Sequence, residues 1–152
     1  MPFFNGKIYP NFKFQMKKSK ACFLFIIYLC ALFKITIFRA NFTLSKIFQA
    51  GEYNFTPFAD YAKIWDLGAL KFIYLFFGNI IWFVPFGLFA RYFFPNFSMR
   101  KILIFGLLLS LIIEILQFVF KSGIFELDDL ILNVFGVFLG VKFGGILKFR
   151  QI

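Results

Sequence analysis

Four stretches of this 152-residue chain, 21–38, 72–90, 102–120 and 130–147, are long and apolar enough to cross a hydrocarbon core. Such a core is roughly 30 Å thick and needs about 20 helical residues. Inside it every backbone N–H and C=O must be satisfied within the segment, so an apolar run of this length is read as a helix. The composition leaves no soluble alternative. The chain is 61% hydrophobic and 16% charged, with 29 phenylalanines, and its mean hydropathy is +0.82. A soluble domain averages about 45–50% apolar and about 25% charged residues, enough polar groups to cover a surface that this chain would leave bare. The fold class that follows is an all-α integral membrane protein with four transmembrane helices.

Charge orients the spans. Lys7, Lys13, Lys17, Lys18 and Lys20 precede the first; Arg91, Arg100 and Lys101 separate the second from the third; Lys148 and Arg150 follow the fourth. None of these regions contains an acid, so the positive-inside rule assigns them to the cytoplasm. The expectation is a multi-pass protein of the inner (cytoplasmic) membrane with both termini cytoplasmic and residues 39–71 and 121–129 outside. Residues 1–20 form a basic arm and 21–150 one membrane domain. The first span reads as a retained signal-anchor, because no small-x-small cleavage site follows it. Within 39–71, the segment 60–71 with Tyr61 and Trp65 suits an interfacial helix. The formal net charge of +10 is thus topology, and nucleic acid is not an expected partner. Cys22 and Cys30 lie eight residues apart on one helix, too far to pair. Histidine is absent, which excludes imidazole bases, Ser-His-Asp triads and HExxH zinc sites.

The polar residues inside the spans carry the functional signal, since an ionisable group there costs about 2.5–3.5 kcal/mol on insertion scales. In the third span Ser110, Glu114, Gln117 and Lys121 recur at intervals of four, three and four, which places them on one helical face. In the fourth, Asp129, Asn133, Gly136 and Gly140 do the same and Gly144 continues the face, with GxxxG spacing. The simplest arrangement packs these two stripes against each other. At about 1.5 Å per residue, Glu114 lies roughly 5 Å outward of its span's centre. Asp128 and Asp129 fall at the outer rim and Asn79 near the middle of the second span. The candidate ligand-binding set is Glu114, Gln117, Asp128, Asp129, Asn133, Asn79 and Glu126. Gly136, Gly140, Gly144, Pro85 and Gly87 read as helix-packing positions. Each polar residue also has a structural reading. The amides can be interhelical hydrogen-bond glue, worth about 0.6–2 kcal/mol each. Glu114 can be neutral or paired to Lys121, and one of Asp128 and Asp129 can cap the fourth helix.

The order and spacing of these motifs resemble the VanZ-like membrane protein family over about residues 54–140. They run Asn54-Phe55-Thr56-Pro57-Phe58, Asn79, Phe83-Val84-Pro85-Phe86-Gly87, Ser110 with Glu114 and Gln117, and Phe125-Glu126-Leu127-Asp128-Asp129 with Asn133, Gly136 and Gly140. The Glu-x-x-Gln and Asp-Asp-x-x-x-Asn-x-x-Gly-x-x-x-Gly combination is the specific part. The resemblance implies a cell-envelope membrane protein associated with reduced teicoplanin susceptibility, and no established biochemical activity comes with it. Two departures stand out. Where family members often carry an arginine, this chain has Ser122-Gly123-Ile124, and the first acid of the following run is Glu126 rather than Asp.

Three functions compete. The first is binding or modulation of an exterior envelope ligand, such as a lipid-linked wall intermediate or a lipid headgroup, with other envelope proteins as possible partners. The second is an intramembrane lipid-modifying enzyme using carboxylates; Glu114, Asp128 and Asp129 would then hold Mg²⁺, whereas no cofactor is expected otherwise. The third is a small proton-coupled transporter using Glu114.

Overall fold

The computed structural model describes residues 15–38, 42, 45, 51–66, 68–147, 150 and 151. Among the described residues four helices are long and apolar enough to span a membrane: α1 (Lys18–Thr36), α3 (Ala69–Phe93), α4 (Met99–Val119) and α5 (Leu127–Ile146). Each starts three residues before the apolar stretch that announced it. Counting apolar residues omits a polar first turn, such as Met99-Arg100-Lys101 or Leu127-Asp128-Asp129, although its backbone is already helical. Ser98 fixes one of these starts by accepting a hydrogen bond from the Lys101 N–H at 3.4 Å. Pro85, whose ring removes a backbone donor, lies inside α3, which continues through it to Phe93.

The helices alternate in direction, and α5 lies between α3 and α4. The α3–α5 seam is the most extensive contact of the bundle, because both backbones are stripped of side chains where they cross. A Cβ at Gly136 would overlap the Ile80 carbonyl oxygen, one at Gly140 the Val84 carbonyl oxygen, and one at Gly87 the Val137 carbonyl oxygen. Small residues permit this approach, and dispersion between the touching backbones supplies the attraction that lipid cannot. Gly144 is buried on the same helix. This corrects the expected packing of whole stripes. Only the amide end of the α5 stripe meets α4; the glycine face turns to α3, since the helix is a cylinder that contacts two neighbours. On the α4 side Gly106 receives Val137.

α1 sits at the margin. The Phe25 ring packs at a tilt against Phe86 and Phe89 and edge-on against Phe93, and the Tyr28 hydroxyl donates to the Trp82 carbonyl at 2.8 Å. Phe23, Ile26 and Ile27 of α1 are exposed, like Ile73, Phe77 and Ile81 of α3 and Ile104, Phe105 and Ile112 of α4. That continuous apolar exterior is what a lipid-facing surface requires.

The two ends of the bundle differ. At the basic end, β1 (Gln15–Met16) pairs in parallel with β4 (Arg150–Gln151), and the Tyr92 hydroxyl donates to the Met16 carbonyl at 2.7 Å. Arg91 holds the turn into α4 by donating to the carbonyls of Pro95 and Phe97 at 3.1 and 3.0 Å. At the opposite end, β2 (Glu52–Asn54) pairs in parallel with β3 (Ile124–Glu126), followed by the short helix α2 (Ala59–Asp66). The interfacial helix expected over 60–71 is therefore two elements. A break at Gly68, whose φ of 131° suits glycine, separates α2 from the first turn of α3. These ladders are small additions to a helical architecture.

Candidate functional site

The opposite end gathers the acids, beginning with the termination of α4. Ser122 N–H reaches back to the Gln117 carbonyl at 3.0 Å and Lys121 N–H to the Phe118 carbonyl at 3.2 Å. This paired closure is a Schellman motif, which needs a left-handed residue at its turn. Lys121 fills that position with φ 50°. The chain thereby reverses tightly and runs straight into β3 and α5, bringing Glu126 back over Glu114. The Glu114 carboxylate, almost fully buried, accepts the Glu126 N–H at 3.1 Å.

The segment 51–66 then covers this reversal. β2 lies alongside β3 in the register Glu52 to Ile124, Tyr53 to Phe125 and Asn54 to Glu126. At Gly51 a Cβ would stand 2.7 Å from the Phe118 carbonyl oxygen, so the strand enters against the α4 backbone. The Asn-Phe-Thr-Pro-Phe motif is a turn. The Asn54 side-chain oxygen accepts the Thr56 N–H at 2.9 Å, an Asx-type closure. Phe58 follows with φ 56°, uncommon for a bulky residue. Its N–H points into the bundle and is shared by both oxygens of the buried Asp128 carboxylate, each at 2.9 Å. Tyr61, also buried, packs edge-on against Phe72 and Phe76 and ties α2 to α3. Its hydroxyl is held in the protonated form, first by burial and then by the negative charges of Asp129, Asp128 and Glu126.

Asn79 of α3 donates its amide to the Asp129 carboxylate. This contact revises the expected depth of the acids. Asn79 is roughly 15 Å along α3 from its first residue, at 1.5 Å per residue, yet it is level with the third residue of α5. α3 therefore extends past Asp128 and Asp129, and Phe58 of the 51–66 segment lies against Asp128. Neither acid is the cap of α5. The N-cap is Glu126, with no side-chain cap hydrogen bond, and the two carboxylates occupy the first turn, where the helix dipole favours negative charge.

The remaining predicted residues lie deeper or toward α1. Asn133 donates to the Ser110 hydroxyl at 2.9 Å, joining the amide and hydroxyl of the two stripes. Gln117 donates to the Thr36 carbonyl at 3.1 Å and pins the end of α1. Gly123 packs on that same Gln117: a Cβ there would sit 3.2 Å from its amide carbon. Two buried polar atoms, Asn133 Oδ1 and Ser122 Oγ, have no hydrogen-bond partner. Among the described residues no three acidic or cysteine side chains converge as a metal-binding group, so Glu114, Asp128 and Asp129 do not form one. Sequence reasoning missed the Phe58 N–H, Tyr61 and Ser122. The Phe58 contact joins residues 70 positions apart, and no local pattern signals it.

Two sequence comparisons identify the family. The VanZ/LLP1 family model matches residues 25–148, from the third turn of α1 past the end of α5. Protein VanZ of Enterococcus faecium is 30% identical over 125 residues, covering 81% of this chain and 72% of that protein. No solved structure matches. On the extent of both sequence matches, this chain belongs to the VanZ/LLP1 family.

Proposed function

We propose that this protein binds a cell-envelope ligand at the exterior face of the membrane, through the acidic and amide cluster of Glu114, Gln117, Glu126, Asp128, Asp129, Asn133 and Asn79. The observation that carries the reading is the burial of Glu114, Asp128 and Asn133 together at one end of the bundle, under a covering segment whose backbone is bent to left-handed φ at Phe58. Buried polar groups in a membrane protein are expensive and mark functional positions by default. Strained backbone collects where the surroundings over-determine it for a purpose. The cluster is rich in acceptors: four carboxylates, and an Asn133 side-chain oxygen with no hydrogen-bond partner, stand beside three side-chain amides. Its ligand should therefore present hydroxyl or amine donors, as lipid-linked wall intermediates and many lipid headgroups do. The positive charge at the opposite end supports placing this end outside, with the basic arm and both termini in the cytoplasm.

The name of the Enterococcus relative, together with the glycopeptide association of similar proteins, suggests the phenotype to measure. Cells expressing Glu114→Gln or Asp129→Asn protein, at levels matched by immunoblot, should lose whatever change in teicoplanin or other wall-antibiotic susceptibility the unaltered protein confers. Susceptibility unchanged by both substitutions across a panel of wall- and membrane-targeting agents would refute the reading.

A further inference from the structure

Between α1 and α3 lies a cavity of about 210 Å³, lined by Ile35 and Thr36 of α1 and by Tyr74, Leu75, Gly78, Asn79 and Trp82 of α3. Its origin is legible. Toward the basic end α1 is held to α3 by the Phe25 ring cluster and by the Tyr28 bond to Trp82; beyond Trp82 the next α3 residue on that face is Gly78. A Cβ at Gly78 would meet nothing within 4 Å, so the glycine leaves open space, unlike the closely packed glycines of the α3–α5 seam. The lining positions 74, 75, 78, 79 and 82 repeat at helical spacing and extend over roughly 12 Å of α3. The volume is below the roughly 300–1,000 Å³ of pockets for drug-sized molecules, and it suits one narrow chain. Exposed Ile73, Tyr74, Phe77 and Ile81 surround this part of α3, so what lies beside it in a bilayer is hydrocarbon.

Asn79 belongs to two sites at once. It walls the cavity and donates to Asp129 in the acidic cluster. The 51–66 segment covers that cluster from the end of the bundle, whereas the cavity reaches Asn79 from the side.

We propose that this cavity is a lateral lipid site: one hydrocarbon chain of a bilayer lipid lies between α1 and α3, and its donor-bearing headgroup is presented to the Asn79–Asp129 pair. The headgroup clause rests on the ligand-binding reading above; the chain clause does not. The occupant is a lipid whose headgroup carries N–H or O–H donors, such as an ethanolamine or a glycerol. Choline, with no such donor, is the negative control.

The test uses the two tryptophans of the chain. The full-length Trp65→Phe protein, with Trp82 as its remaining tryptophan, is reconstituted in bilayers containing increasing fractions of brominated-chain phosphatidylethanolamine or phosphatidylglycerol. Site occupancy should give saturating Trp82 quenching, half-complete at a brominated fraction at least five-fold below that for ordinary annular contact. Gly78→Leu, whose Cβ would meet nothing within 4 Å and whose longer side chain is directed at the cavity volume, should return quenching to simple proportionality while leaving the thermal unfolding temperature unchanged. Proportional quenching in both proteins would overturn the chain site. Brominated phosphatidylcholine should saturate several-fold more weakly, and Asp129→Asn should erase that difference. Equal retention of choline lipid, with saturation intact, would overturn the headgroup clause alone: the chain site would stand, and the ligand reading would still be decided by the susceptibility panel.

Discussion

At the scale of single residues, the substitutions that matter are those that leave a buried group unmatched. Asp128 is the acceptor for the left-handed Phe58 N–H. Asp128→Ala should destabilise the protein by about 1–3 kcal/mol, the usual cost of orphaning a buried donor, seen as a lower unfolding temperature in detergent. Asp128→Asn, which retains one carbonyl oxygen, should recover much of it. Tyr61 predicts a pH dependence. Its hydroxyl pKa is raised in the folded state, so the fold holds that proton more tightly than the unfolded chain does. The contribution is complete below about pH 10, the ordinary tyrosine value, and is lost as pH rises above it. Tyr61→Phe protein should accordingly show a shallower alkaline decline in thermal stability than the unaltered chain. Glu114, Asp129 and Asn79 were recognisable as candidates because a polar residue within an apolar run stands out by itself. Ser122 and Phe58 were not, because their importance comes from burial and backbone geometry imposed by distant segments.

At the scale of elements, the same Gly-x-x-x-Gly spacing that was visible in the sequence acts through a partner that was not. Periodicity establishes that Gly136 and Gly140 share a face; it does not say which of two neighbours receives that face. The carbonyls of Ile80 and Val84 do. Gly140→Ala forces a methyl into the Val84 carbonyl and should cost about 1–3 kcal/mol, as overpacking of a tight interface does, whereas Gly78→Ala should be nearly silent. A comparison of unfolding temperatures for the two variants checks this assignment of α5 to α3. The turn after α4 offers the opposite case. Lys121 holds a left-handed conformation that glycine adopts without steric penalty. Lys121→Gly should raise stability by about 1 kcal/mol, read as a higher unfolding temperature in detergent. Each spanning helix begins three residues before its apolar stretch, because hydropathy registers where a segment becomes continuously apolar, not where its hydrogen bonding begins.

At the scale of the whole molecule, the expected topology is testable with the chain's own turns. In a background with Cys22 and Cys30 replaced, cysteine introduced at Asn96 should be protected from a membrane-impermeant maleimide added outside intact cells, and cysteine at Lys121 should react. The reverse labelling would invert the assignment of the acidic end to the exterior. Four spans and the membrane environment follow from the sequence because apolarity over about 20 residues is a local property, and lipid permits few structures with such a segment. The same holds for the family motifs, since spacing along a helix is spacing in the sequence. What required the folded chain is everything that joins residues far apart: the parallel β2–β3 pairing, the Phe58–Asp128 closure, the depth of Asp129 beside Asn79, and the cavity left where Gly78 faces α1. These depend on which helix faces meet and on how far one helix rises past another. Those relations are set by backbone packing between small residues, and no periodicity within a single helix encodes them.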